Sequence, residues 1–225
     1  SDFSVSTGTW GFSVLTSTGF TQLRSGTTYF ARARARNHDL VNSDWTVLGS
    51  TRTNLAQPTS ALILSMGTTT LTAQWADGVN NAEATYEVQA SSDGYNFILS
   101  SSVASLFTQA TLINLSTNTV YAARVRARHM ADISAWTTIT ASTYTLSTIP
   151  ISQPHIAVEI TSMTVSYLFN TNPNYTTYYV EASSTAFAQV QASSITKLSQ
   201  ADLITLSANV LFQSRVRSAN GDDLR

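Results

Sequence analysis

Apolar and polar residues alternate along much of this chain. In Thr70 to Trp75 (TLTAQW), Tyr86 to Ser91 (YEVQAS) and Tyr121 to Arg128 (YAARVRAR) every second side chain is apolar, and β-branched and aromatic residues are enriched. A period of two sends successive side chains to opposite faces of an extended backbone, so each segment predicts a strand with one buried face. Helical spacing is hard to find. Between the strands lie Asp77-Gly78, Asp93-Gly94 and Asn220-Gly221, dipeptides that accept the positive φ of tight hairpin turns. Short strands separated by turn signals at about 8 to 12 residues predict an all-β antiparallel sandwich.

The pattern repeats. TTYFARARARN at Thr27 to Asn37 returns as NTVYAARVRARH at Asn118 to His129 and, worn, as NVLFQSRVRSAN at Asn209 to Asn220. Tyr29 to Tyr121, Pro58 to Pro150 and Trp75 to Tyr167 are each 92 residues apart, and Tyr121 to Phe212 is 91. A repeat of that length is a domain, not a solenoid turn.

Composition narrows the chemistry. The 225 residues are 43% hydrophobic but only 11% charged, with a net charge of −1 and a pI near 6.2. Hydroxyls replace charge on the surface: Ser and Thr make up about 29% of the chain, and Lys197 is its single lysine. A slightly acidic chain has no long-range field to attract a polyanion, so three arginines at Arg32, Arg34 and Arg36 do not by themselves predict a nucleic-acid partner. The lack of cysteine excludes disulfides, a cysteine-based zinc site and a thiol nucleophile. No run of 18 apolar residues marks a membrane span.

Trp75 in the second strand, Tyr86, Val88 and Ala90 in the third, Leu115 six residues before Tyr121, the run Tyr121 to Ala127, and Ser134-Ala135-Trp136-Thr137 together resemble a fibronectin type III domain. Tyr167, Tyr178, Val180, Ala182, Leu206, Phe212 and Val216 are the same landmarks in a third unit; Leu23, Tyr29, Ala33, Ala35 and Trp45 are those of the first. The resemblance implies tandem immunoglobulin-like β-sandwiches: a partial domain at 1–53 (strands C′ to G), a complete one at 54–147, and one lacking strand G at 148–225. Aligned on the middle unit, the first lacks A, B and C. We read the chain as a segment of a longer array; strand donation between neighbouring chains is the alternative.

The resemblance also implies a tyrosine corner at Tyr29 and Tyr121, whose hydroxyls bond back to upstream backbone. Phe212 keeps the ring but not the hydroxyl, which predicts a carbonyl in the third unit that must find water or another donor, at a cost of about 1 kcal/mol. On strand F, Tyr121, Ala123, Val125 and Ala127 should face the core, leaving Arg124, Arg126 and Arg128, and likewise Arg32, Arg34 and Arg36, on the outer face. Trp45 and Trp136 begin the adjacent strand G, where an indole lies between guanidinium planes. This is similar to the tryptophan–arginine ladder of cytokine-receptor domains.

Catalytic groups do not converge. His38, His129 and His155 have no ligand-type partner at i+2 or i+4 and read as exposed loop residues; Asp222-Asp223 beside Gly221 reads as a turn. No phosphate loop, calcium loop, Gly-x-Ser-x-Gly elbow or paired carboxylates appear, so no catalytic, cofactor or metal site is expected. Arg-Gly-Asp is missing from the F–G loops. Asn114-Leu115-Ser116 and Asn174-Tyr175-Thr176 match the glycosylation sequon, a short and common pattern.

These readings predict a structural or adhesive repeat array, extracellular or on a cell surface, with short proline-bearing links at Asn54 to Pro58 and Leu146 to Pro150. The competing classes are spacer domains of a secreted carbohydrate-active enzyme and a receptor ectodomain. Sandwich edges are usually guarded by charge, yet Trp136 to Thr145 (WTTITASTYT) reads as a long uncharged edge strand. It predicts cover from neighbouring copies in a fibre or surface layer, or from glycans.

Overall fold

The computed structural model describes residues 17–96, 98, 100–105, 107–139 and 141–223, with the backbone alone over 100–105. The first sixteen residues of the expected partial domain at 1–53 thus lie outside the described residues.

In the first unit β1 (Thr28–Ala33) and β2 (Thr46–Arg52) pair antiparallel, with a bulge between Ala31 and Arg32. The second unit contains β3 (Thr59–Met66), β4 (Leu71–Ala76), β5 (Thr85–Ser91), β6 (Ser100–Ser105), β7 (Gln109–Leu112) and β8 (Val120–His129). It ends in the short β9 (Asp132–Ile133), β10 (Thr137–Thr138) and β11 (Thr143–Tyr144). In the third unit follow β12 (Ile151–Ser152), β13 (Ala157–Val158), β14 (Met163–Leu168), β15 (Thr177–Ser183), β16 (Ala192–Thr196), β17 (Gln200–Leu203) and β18 (Gln213–Ala219).

Two sheets sandwich the second core: β3–β4–β7 on one side, and β6–β5–β8 with β10 and β11 on the other. Alternation decides what is buried. Leu71, Ala73 and Trp75 of β4 meet Tyr86, Val88 and Ala90 of β5 and Tyr121, Ala123, Val125 and Ala127 of β8, all buried in one cluster. Trp75 and Tyr86 pack with tilted rings 5.6 Å apart, and the Tyr86 hydroxyl donates to the Asp77 carbonyl at 3.0 Å. The third unit repeats the arrangement with β12 or β13 beside β14–β17 against β16–β15–β18. Its core joins Tyr167, Tyr178, Val180 and Leu203, and the Tyr167 hydroxyl donates to the Leu198 carbonyl. Burial raises the pKa of both the Tyr167 and Tyr178 hydroxyls above the usual tyrosine range.

Three expectations change. First, Trp136 to Thr145 is not one long strand. Thr138 pairs with Arg124 and Thr143 with Tyr121, so the pairing shifts register between these two points and the ladder is broken there. Across the sandwich β3 carries two register shifts, between Thr59 and Leu62 and between Ile63 and Ser65. Irregularity protects these edges where charge does not. Second, β1 ends at Ala33, so Arg34 and Arg36 lie beyond the strand, with Arg36 in an isolated bridge to Asn42. Third, His129 is no loop residue: it closes β8, its side chain is 10% exposed, and its Nδ1 lies 3.0 Å from the Glu83 carbonyl. His155, by contrast, is exposed and lies 2.8 Å from the Ser214 hydroxyl.

Candidate functional site

The outer face of β5 and β8 carries the densest polar cluster of the second unit. The Trp136 ring lies between two guanidinium groups, with Arg124 and Arg126 each 4.3 Å from its centroid, and Tyr95 covers the other side of Arg124 at 4.0 Å. Antiparallel register puts Gln89 opposite Arg124 and Glu87 opposite Arg126. The Gln89 carbonyl accepts from Arg124 Nε and Nη2 at 3.0 and 2.8 Å, and Glu87 accepts from Arg126 Nε at 2.9 Å. Gln89 Nε2 also donates to Glu87 at 2.7 Å, so carboxamide and carboxylate hold each other as well as the arginines. Arg128 stays out of the stack and pairs with Glu87 at 3.2 Å. Burial raises the Tyr95 pKa, and the nearby Arg124 cation partly offsets this.

The other units keep versions of this cluster. Trp45 precedes β2 as Trp136 precedes β10, with Arg32 and Arg34 at 4.3 and 4.5 Å from its ring. In the third unit Arg215 lies over Phe187 at 4.2 Å and Arg217 over Tyr179 at 5.3 Å, with Glu181 paired to Arg215 at 2.6 Å. Sequence reasoning missed Tyr95, Glu87, Gln89 and the whole third cluster. The signal was present for two of them: in YEVQAS the alternation that buries Tyr86, Val88 and Ala90 puts Glu87 and Gln89 on the arginine face.

The tyrosine hydroxyls act as acceptors. Tyr29 Oη takes the Arg24 N–H at 2.9 Å, and Tyr121 Oη takes the Ser116 N–H, also at 2.9 Å. The group that a tyrosine hydroxyl would serve at the place of Phe212 is therefore an N–H, not the carbonyl expected from the sequence, and the Phe212 ring is only half-buried. Replacing Tyr121 with Phe is expected to cost about 1 kcal/mol, since water reaches exposed Ser116. Urea unfolding measures this; an unchanged midpoint would show that the hydroxyl contributes nothing.

The connections between units form a second repeated site. Ser25 Oγ donates to the Val79 carbonyl at 2.9 Å, and Thr117 Oγ1 donates to the Thr171 carbonyl at 2.7 Å. Asn80 accepts from the Ala56 N–H at 2.8 Å and donates to the Ala56 carbonyl at 2.9 Å; Asn172 does the same for Thr148, both at 2.7 Å. Each participant recurs after 92 residues: 25 and 117, 56 and 148, 79 and 171, 80 and 172. One asparagine side chain in each loop after β4 and β14 thereby grips the incoming link as a backbone would.

Around this shared frame the two junctions differ. At the first, Arg52 lies 3.8 Å from Glu83 and 3.9 Å from Asp132, and buried Gly26 has positive φ with Leu55 against it, so a side chain there would collide. At the second, Asn118 stands in place of Gly26 and is 2% exposed. Its Nδ2 donates to Thr176 Oγ1 at 2.8 Å, and its Oδ1 accepts from the Gly221 N–H at 2.8 Å. Asp222 accepts from the Tyr144 N–H at 3.0 Å and the Thr143 hydroxyl at 3.1 Å. The Asp222-Asp223 turn expected from the sequence thus also docks on the neighbouring unit. Asn114 and Asn174 of the sequons are exposed, but Thr176 is buried in this junction. Among the described residues no three His, Asp or Glu side chains are grouped to hold a metal.

This geometry is that of tandem fibronectin type III domains. The chain is similar to a two-domain fibronectin type III segment of chicken tenascin, with 18% identity over 73% of this chain and 92% of that one and a TM-score of 0.50. It also matches the FN1–FN3 domains of chicken CNTN1, at 14% identity, 87% and 73% coverage and a TM-score of 0.35. Domains d3–d4 of the rat CD45 extracellular region match at 16% identity, 62% and 76% coverage and a TM-score of 0.42. No family model matches the sequence, and neither does any curated protein.

Proposed function

We propose that this chain is a non-catalytic spacer in an extracellular or cell-surface array, holding its units at a fixed spacing and angle. The observation that carries this reading is the recurrence of the same junction bonds 92 residues apart, Asn80 to Ala56 and Asn172 to Thr148. A link gripped through its own backbone N–H and C=O loses the freedom that would let neighbouring domains swing. In this reading, two junctions built on the same frame set successive units at a similar step, and such a step yields a regular rod. Its neighbours in this reading are further copies in a fibre or surface layer. The arginine cluster of the second unit braces its sheet from outside, since the Arg124 and Arg126 guanidinium groups are held by rings and by carboxyl or amide oxygens of their own unit.

Small-angle X-ray scattering of the chain is the test. One rigid elongated particle is expected to account for the profile, at low and at high salt. A profile that requires an ensemble of bent shapes would overturn the spacer reading.

A further inference from the structure

The two junctions share a frame but not a surface. A cleft of about 350 Å³ opens beside the second, lined by Tyr144, Tyr175, Tyr179, Lys197, Asn220 and Asp223 among others. Strand register fixes their counterparts at the first junction: Tyr144 pairs with Val120 as Arg52 pairs with Thr28, and Tyr179 is the third residue of β15 as Glu87 is of β5. Tyr175 stands at the place of Glu83, Asn220 at that of His129 and Asp223 at that of Asp132. At the first junction Arg52 lies 3.8 Å from Glu83 and 3.9 Å from Asp132, the His129 ring lies 3.7 Å from Glu83, and Glu87 pairs with Arg126 and Arg128 on the adjoining sheet face. At the second, tyrosines replace a guanidinium and two carboxylates.

We propose that this cleft binds a short saccharide on the exposed Tyr175 ring, and that Lys197 selects a carboxylate-bearing sugar. The rings are held in place before any ligand arrives. The Tyr175 hydroxyl donates to the Asn118 carbonyl at 3.0 Å, and the Tyr179 hydroxyl donates to Asp223 Oδ1 at 3.1 Å. Tyr144 lies flat against Gly221, where a Cβ would overlap its ring. Tyr175 is still 50% exposed, so a large apolar ring is presented beside a carboxylate and an amide. That combination suits a pyranose, whose C–H face packs on an aromatic ring while its hydroxyls bond to polar groups at the edge. Lys197, the only lysine of the chain, is exposed at the cleft and has no ion-pair partner among the described residues. An ammonium so placed favours the carboxylate of a uronic or sialic acid.

The test is an NMR titration of the whole chain with two probes: the glucuronic acid–N-acetylglucosamine disaccharide and neutral cellobiose. The acidic disaccharide is expected to shift the Gly221 and Ala219 amides and the Asn118 side-chain amide, with a Kd on the order of 1 mM. Tyr175→Phe keeps the ring and should bind within about twofold of the parent, whereas Tyr175→Ala should abolish saturation. Lys197→Ala should weaken the acidic disaccharide by about fivefold and leave cellobiose unchanged. No shift with either sugar at about 10 mM, shifts confined to other surfaces, or binding that survives Tyr175→Ala overturns the proposal. Tighter binding of cellobiose than of the acidic disaccharide overturns the role of Lys197. A dispersed spectrum for Tyr175→Phe shows that the fold tolerates loss of the hydroxyl bond to Asn118.

Discussion

Asn172→Ala should uncouple the third unit from the second. Asn172 is 6% exposed and spends its amide on both backbone groups of Thr148. Removing it strips the Thr148 N–H of its partner, while the Thr148 carbonyl keeps the Ser218 hydroxyl at 2.8 Å. One unsatisfied donor and one lost hydrogen bond cost about 2 kcal/mol, and that cost falls on the junction rather than on either core. Calorimetry should then resolve two transitions where the parent shows one, with little change in the higher one. A single transition of unchanged width would show that the clamp does not couple the units. Asn80→Ala should do less at the first junction, because Asn80 is only half-buried and also donates within its own loop to the Asp77 carbonyl at 2.7 Å.

The contrast between these asparagines and the strands shows what the sequence makes legible. A strand announces itself locally, since the alternation in YAARVRAR is set by its own two faces, and β8 buries Tyr121, Ala123, Val125 and Ala127 accordingly. Trp45 and Trp136 were legible for a related reason: each recurs at the same distance from an arginine run, and a repeated spacing reports a repeated place. The junctions were not legible. Asn80 and Asn172 bond to backbone 24 residues away, and nothing about an asparagine in a loop says which carbonyl it will meet. The break in the strand after Trp136 was hidden as well. It arises from a mismatch in residue count against β8, which exists only once the two strands are in register. The cleft was the least visible of all, because Tyr144, Tyr179 and Lys197 converge from three separate segments.

Trp136→Ala should lower the melting temperature far more than Arg128→Ala, although both residues belong to one outer face. Trp136 is half-buried with two guanidinium groups each 4.3 Å from its ring centroid. Truncation removes two cation–π contacts of about 0.5 to 1 kcal/mol each together with the apolar area that they cover, for a total of about 2 to 3 kcal/mol. For a domain of this size that corresponds to roughly 10 °C or more. Arg128 touches neither ring. It shares Glu87 with Arg126, whose own Nη2 lies 2.8 Å from the same carboxylate, so Glu87 stays paired when Arg128 is removed. With 41% of the Arg128 side chain exposed, its ion pair is screened, and a loss of under about 1 kcal/mol is expected. Thermal unfolding of the two variants separates stacking from charge. Small, equal shifts would refute the indole as the brace of this face, while a larger shift for Arg128→Ala would assign that role to Glu87 and its ion pairs.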